Sequence, residues 1–461
     1  AQISQPDVAF RIQSAMLNIY LLVVCLSCTG HGVQPSHEHG KPLVGAKSTC
    51  NPLTVLRRIL LAVHPSSGFN PLAPTASLCL DKSSIVNSHL VVPAVWKRLK
   101  HFPMMSASLA KVHLKIIGAG FSGLACAVSA TNCSQVSRIS IFDPSDPYDA
   151  HSRGASSAAA GLLHSFTRKN KKMWMGDEGY AAATRLITLV EAVSKRQVVQ
   201  QGVPIMRMGG WGSSPDNEDE QIDGGIVVDP VQYLLGLWEV VQAQAKANGQ
   251  MIHWERKKVK HWSDLALDLP SEGLREVTIC AMGIGIMELW NDANLSLPLT
   301  LVRGRNIVVE RPEGVSKNDA LLRGEYVVPN YGGQKLILGA THEWEWSPGE
   351  SEGEDAIQKL WATLQEKGFL EGEFATLGTA AVDSYTDAVR LKARRTHVGR
   401  IPIVARHPKK HDVWVMTGFG ARGLIHHANL AELVVKAALA GDASFVPKEV
   451  FWNDHPAFVK R

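Results

Sequence analysis

Patterned sequence begins at residue 112. Val112 to Ile117 reads as an apolar strand that runs into a glycine. A helix of small residues runs on to about Thr131, and a second strand from Ile139 to Phe142 stops at Asp143. Strand, helix and strand in about thirty residues predict a parallel βαβ unit. Further along, Lys171 to Lys195 has the period of an amphipathic helix and is assigned to a second lobe. Asp229 and Pro230 are the N-cap and first turn of another helix, and Asn330 to Gly333 turns a hairpin. A buried strand, "VWVMT", leads into a last amphipathic helix. The acidic stretches "SSPDNEDEQIDGG" and "WEWSPGESEGEDA" read as solvated loops.

The first 108 residues behave differently. Ile19 to Leu26 is far shorter than the roughly 20 residues of a membrane-spanning helix, and no other stretch is long enough. Ser27 to Ser108 is rich in Ser, Pro and Gly and lacks a sustained period. This segment reads as a disordered or targeting leader, with a mature chain starting near residue 104. Its composition leans towards a plastid or another organelle; without residues 1–103 the expectation becomes cytoplasmic. Charge supports the division: residues 1–108 hold 9 basic and 3 acidic side chains, whereas the remainder holds 39 and 40. The net charge of +5 is therefore a property of the leader and gives no footprint for nucleic acid. Seven cysteines, four of them in the leader, suggest no disulfide framework, and Cys25-x-x-Cys28 has no second pair to complete a metal site.

The chemistry starts at Gly118-Ala119-Gly120-Phe121-Ser122-Gly123. Gly118 permits the tight turn, Gly120 lets backbone approach a pyrophosphate, and Gly123 allows close helix-on-strand packing. The helix N-terminus favours the anion, and Asp143, 23 residues after Gly120, suits the adenosine ribose hydroxyls. An acid at that strand end disfavours a 2′-phosphate and leaves FAD and NAD open.

With the run "ASSAAAGLLH" some 35 residues later, this fingerprint resembles the FAD-dependent oxidoreductases of the D-amino acid oxidase superfamily, above all the glycine oxidase and D-amino acid dehydrogenase branch. The resemblance spans most of residues 112–440. It implies an α/β fold, a Rossmann-like FAD-binding lobe (about 109–165, 225–305 and 385–461) carrying an inserted antiparallel-sheet α+β substrate lobe (about 166–224 and 306–384). It implies FAD as cofactor, with Ser156, Ser157, Ala158, Ala160 and Gly161 beside the flavin ring, where small side chains let backbone N–H groups reach its edge. Val259 matches a position whose backbone touches adenine. Ala281 and Gly283 match a turn closing over the cofactor, and Arg303 and Gly304 lead into the substrate lobe. Gly339, Thr341 and Glu343 resemble a family strand. Gly418, Gly420, Ala421, Arg422, Gly423 and Leu424 match the turn whose following helix points at the flavin N1 and O2.

In catalysis the resemblance gives Arg390 the substrate carboxylate, a task suited to a guanidinium fork. Ala405, where glycine is usual, and the competing cations Arg394 and Arg395 depart from the pattern. His164 stands where it would face the substrate side, and no metal is implied. The implied reaction oxidises the C–N bond of a small amino acid or amine by hydride transfer to flavin N5, with O2 or a quinone as electron acceptor. Two other readings stay open: a flavin domain acting in wobble-uridine tRNA modification, and a non-catalytic flavoprotein assembly factor.

Overall fold

The computed structural model describes residues 110–452, apart from 168–169, 210–218, 267–272, 292–296, 314, 316–317, 345–352, 376, 378–381 and 394–398. The chain divides into two units, Ala1–Pro103 and Met104–Arg461, and every described element belongs to the second. The leader therefore lies outside the described residues, as do Arg394, Arg395, residues 213–218 of the first acidic stretch and 345–352 of the second; in the first, Glu220–Gln221 form a strand rather than a loop. The end of the second stretch is helical rather than loop, since Gly353 opens a helix.

A six-stranded sheet is built on β1 (Val112–Ile117) and β2 (Val136–Asp143), joined by α1 (Phe121–Thr131). Beside β2 lies β7 (Met251–Arg256); beside β1 lie β8 (Arg275–Cys280), β15 (Val413–Thr417) and the antiparallel edge strand β14 (Ile403–Arg406). The other pairings are parallel. The chain goes from β1 to β2 on one side and returns to β8 on the other. The crevice at the carboxyl end of β1 is thus a topological switch point, the position where such sheets bind ligands.

One face of this sheet is covered by α1, α4 (Pro230–Ala247), α7 (Gly423–Ala440) and, packed on α4 and α7, α3 (Gly176–Ser194). Leu114, Ile116, Ile139 and Ile141 meet Leu124, Val128, Leu237 and Val434 there in one fully buried cluster. Expectation fails for α3: predicted in the second lobe, it packs on the nucleotide-side helices. Its period identified an apolar stripe, but a stripe does not name its partner. Gly179 supplies the close approach, since a Cβ there would sit 2.4 Å from the Ile425 carbonyl oxygen. Asp229 caps α4 as expected, its Oδ1 accepting from Val231 N at 2.9 Å and Gln232 N at 3.0 Å.

The opposite face is apolar at its carboxyl end, where Ile117, Phe142, Val259, Cys280 and Trp290 pack together. Its other end is polar and buried. His113 Nε2 lies 2.8 Å from Ser140 Oγ, and Lys115 Nζ pairs with Glu276 at 2.9 Å and donates to the Leu265 carbonyl at 3.1 Å. No periodicity marks such a site, because His and Lys at alternate positions of a strand normally face water.

The second sheet has seven strands in the order β13-β9-β12-β11-β10-β4-β5. They are β4 (Ile205–Arg207), β5 (Glu220–Gln221), β9 (Leu299–Glu310), β10 (Ala320–Arg323), β11 (Glu325–Asn330), β12 (Lys335–Gly339) and β13 (Val382–Ala393). All neighbours are antiparallel except β10 and β4. Asn330 pairs with Lys335 across the expected hairpin. On one face lies α6 (Gly353–Glu366), whose Trp361 and Leu364 pack on Ile307, Val309 and Leu338. A two-stranded ribbon, β3 (Leu162–Leu163) with β6 (Ile226–Val227), anchors the run that follows the short α2 (Gly154–Ser157) and a half-turn of chain. A short α5 (Ile286–Asn291) completes the set.

Candidate cofactor and substrate site

Each glycine of the first turn has a distinct steric reason. Gly118 sits at φ +97°, and a Cβ there would lie 2.6 Å from the Ala281 carbonyl oxygen. At Gly123 a Cβ would fall 1.8 Å from the Gly118 oxygen, so any larger residue drives α1 off β1. A Cβ on Gly120 would come within 2.7 Å of Ser156 Oγ, the same hydroxyl that accepts from Phe121 N at 3.1 Å. No side chain of this turn caps α1, and its first amides face the switch-point crevice with the helix dipole behind them. Ala281 N donates to Ile117 O at 2.8 Å, which holds the Ala281–Gly283 turn against the glycine loop. Gly283 has φ +55° and opens a 3-10 turn.

Asp143 ends β2 and is buried beside this turn. Its Oδ2 accepts from Ala119 N at 2.7 Å, and its Oδ1 from Ser145 N at 2.9 Å and Ser145 Oγ at 2.6 Å. The carboxylate therefore shapes the loop as well as offering its remaining lone pairs to a ligand. The Lys257 amide donates to the Asp143 carbonyl at 3.1 Å, so the chain leading to Val259 leaves β7 alongside it. The Val259 side chain itself is buried in the apolar cluster.

Ala155 to Gly161 crosses to the second sheet. Ser156 faces the glycine loop, whereas Ser157 turns back on its own loop and donates to the carbonyls of His151 and Gly154, both at 2.9 Å. Gly161 has φ +79°, and a Cβ there would lie 1.8 Å from the Val228 carbonyl oxygen. Ala160 packs beside Ile205 and Val328. Among the described residues no acceptor meets the N–H groups of Ala159, Ala160 and Gly161. Three successive amides without partners among the described residues, two on half-buried residues and one on a buried glycine, suit a ligand edge bearing several acceptors. The Ala158 carbonyl is taken by Asn306 Nδ2 at 2.8 Å.

Asn306 belongs to a network that motif reading missed. Its Nδ2 also donates to Thr386 Oγ1 at 3.1 Å, and its Oδ1 accepts from the Tyr326 hydroxyl at 2.7 Å. Gly339 makes room for the pair, since a Cβ there would lie 2.3 Å from Asn306 Oδ1 and 2.6 Å from the Tyr326 ring. Burial raises the Tyr326 hydroxyl to about 12, against a smaller opposing influence of the nearby Arg390 charge. No local signal identifies Asn306, because its partners come from three other segments.

Arg390, on β13, lies over Gly304 of β9. A Cβ at Gly304 would meet Arg390 Nη2 at 2.8 Å. Its hydrogen-bond partner is His342 Nδ1 at 3.3 Å, and among the described residues no carboxylate pairs with it. Arg303 and Arg305, by contrast, are matched with acids: Arg303 with Asp387, and Arg305 with Glu343 at 3.6 Å and Asp387 at 3.7 Å. Thr341 Oγ1 accepts from Arg305 N at 2.9 Å and donates to Glu343 Oε1 at 2.6 Å, so Thr341 and Glu343 tie the end of β12 to β9.

At the far side, Gly418 (φ +76°) and Gly420 (φ +57°) turn the chain from β15 through Phe419 and Ala421 to Arg422, the N-cap of α7. Gly423 and Leu424 form its first turn, and no side chain caps it. Arg422 Nη1 donates to the Arg400 carbonyl at 2.6 Å; burial and then the Arg400 charge lower its pKa. A cation at a helix N-terminus adds to the dipole instead of opposing it, a combination that suits an anion. One turn further in, His427 Nδ1 lies 2.8 Å from the Leu424 carbonyl, which makes it the protonated nitrogen, and its Nε2 accepts from the Tyr233 hydroxyl at 2.8 Å. The Phe121 ring is 5.5 Å from Tyr233 and 5.6 Å from His427. This cluster joins the amino ends of α1, α4 and α7 behind the site.

His164 does not join Arg390. Its Nδ1 accepts from Phe166 N at 3.3 Å, and burial, followed by the charge of Arg207, pulls its pKa down to about 4. Arg207 is on β4, five strand positions from β13. The geometry makes His164 a neutral local acceptor instead of the substrate-facing group expected from its place in the sequence.

Together these residues fit FAD. A pyrophosphate is suited by the Gly118–Gly123 turn, a ribose by Asp143, a ring edge by the Ala159–Gly161 amides, and an electron-rich pyrimidine end by α7 with Arg422. The class defined by fold and site is that of the FAD-binding oxidoreductases. Residues 221–437 match the model of the DAO family, described as FAD dependent oxidoreductase. No curated protein matches by sequence. Solved structures with the same fold include glycine oxidase from Geobacillus kaustophilus, at 17% identity and TM-score 0.55 over 72% of this chain and 95% of that one. Iminodiacetate oxidase from Chelativorans sp. BNC1 shares 17% identity with a TM-score of 0.54 over 74% and 98%. L-Amino acid deaminase from Proteus myxofaciens, in complex with anthranilate, shares 11% with a TM-score of 0.52 over 75% and 93%.

Proposed function

We propose that this protein oxidises the C–N bond of a small amino acid or N-substituted glycine, with its carboxylate held by Arg390. The observation that carries this reading is the guanidinium itself: it lies against a glycine, its partner is an imidazole nitrogen, and it has no acid among the described residues, while both neighbouring arginines are ion-paired. A substrate carboxylate would supply the missing charge through two parallel hydrogen bonds. Bound FAD supplies the two-electron acceptor chemistry. The protein's own work is positional: Arg390 fixes one end of the substrate, and Ala158 to Gly161 offers side chains small enough to let Cα approach the ring. An assembly factor would have no use for an unmatched arginine at this place, and the balanced charge outside the leader does not favour tRNA.

The test is anaerobic mixing of the purified yellow protein with glycine derivatives, D-amino acids and secondary amines. At least one is expected to bleach the flavin, and re-oxidation by air or by a quinone then identifies the acceptor. If dithionite bleaches the flavin and no panel member does, the amine oxidation reading is wrong.

A further inference from the structure

Asn306 links the two halves of the site. Its amide nitrogen holds the Ala158 carbonyl at 2.8 Å and its amide oxygen is held by Tyr326, while the Arg390 guanidinium lies over Gly304, two residues before Asn306 on β9. In a trans peptide, C=O and N–H point in opposite directions across the same plane. Fixing the Ala158 carbonyl towards β9 therefore fixes the Ala159 N–H away from it, and this is the first of the three unpartnered amides. The side chain is buried, 4% exposed, and held between the Tyr326 and Thr386 hydroxyls, while the Ala158 carbonyl, which can only accept, fixes which end of the amide faces it.

We propose that Asn306 is a positioning residue: it aims the Ala159 N–H at the flavin edge and ties that aim to the arrangement of Tyr326 and Arg390 in the substrate half. The inference rests on the reading that Ala158 to Gly161 borders the flavin. Occupation of Arg390 by a carboxylate would be felt by Tyr326, then by Asn306, and then by the peptide that faces the ring. Substrate binding would thereby register at the flavin through hydrogen bonds, without a titrating group.

Asn306→Asp tests this directly. A protonated Asp donates to the Ala158 carbonyl as Asn does; an ionised one repels it. The charged groups around position 306 are Arg390 on β13, which lies over Gly304, and Arg305 with its partners Asp387 and Glu343. Expected at pH 8 is a shift of the visible absorption bands of bound oxidised FAD and a fall in reduction rate of about tenfold, with less than about threefold change in substrate KM. Both should return towards wild type as the pH falls to 5, whereas Asn306→Ala should stay impaired at every pH. A flavin spectrum in Asn306→Asp that matches wild type throughout, or that follows Asn306→Ala throughout, overturns the proposal. If Asn306→Asp does not fold, the double variant Tyr326→Phe/Thr386→Val, which frees the amide to rotate, should shift the flavin bands; an unshifted spectrum again overturns it. Because the spectral readings need no turnover, they decide this inference even if no amine reduces the flavin.

Discussion

Removing the Arg390 guanidinium deletes the proposed carboxylate partner together with its 3.3 Å hydrogen bond to His342 Nδ1. Arg390→Ala is expected to raise KM for carboxylate substrates by the equivalent of about 2 to 4 kcal/mol while bound flavin is retained, measured by steady-state kinetics and by flavin content. An unchanged KM would remove Arg390 as the anchor. Ala160 packs against the second sheet while its amide has no partner among the described residues. A bulky residue there, such as Ala160→Phe, should displace the segment from the ring, so the purified protein is expected to lose most of its yellow colour with its circular dichroism preserved. Tyr233→Phe leaves His427 Nε2 buried without a donor and should destabilise the fold by about 1 to 3 kcal/mol in a denaturant titration. The glycine turn was legible in the sequence because it sits in a local motif, while Arg390 was singled out there by resemblance alone. Asn306, Tyr326 and the Tyr233–His427 pair were not, since each acts through a partner at least 20 residues away in the chain.

At the scale of elements, the decisive contact is between β1 and α1. With the Gly118 oxygen 1.8 Å from where a Cβ would stand, Gly123→Val cannot be absorbed by a rotamer change. It should both abolish FAD retention and lower stability by about 1 to 3 kcal/mol, seen in flavin content and thermal melting of the purified variant. A variant that keeps its flavin would show that the turn does not need the close approach. The helix Gly176–Ser194 marks the limit of such local reasoning. Hydrophobic period gave its existence and nearly its ends, while its position on α4 and α7 depended on shape, with Gly179 against Ile425 and Gly236 against Val190. Small residues at a helix crossing look like any other small residues until the second helix is present.

The whole molecule carries an acid sensitivity. Burial pulls His113, His164, His407, His426 and His427 from 6.5 down to about 4. Unfolded, these rings take up protons near pH 6.5; folded, they stay neutral until about pH 4. Between those values the unfolded chain binds more protons, so stability is fully present above about pH 6.5 and falls as pH drops, by about 1.4 kcal/mol per unit for each ring that stays neutral. Melting temperature is expected to fall by about 10 °C or more from pH 7 to pH 5. Equal melting temperatures at the two values would mean that the rings ionise in place.

The sequence by itself determined the features whose physics is short-range: the βαβ unit, the glycine turn with its acid at the next strand end, the Asp229 cap, and the hairpin at Asn330 to Gly333. Each depends on residues within a few turns or one strand of one another, so pattern and spacing suffice. Only the tertiary structure decided which of these ends share a site. It brought Ala158 to Asn306 across 148 residues and Tyr233 to His427 across 194, separated His164 from Arg390, and left Arg390 without an acid among the described residues. Those outcomes depend on which faces pack and which charges find partners once water is excluded, and neither is written in the period of a single element.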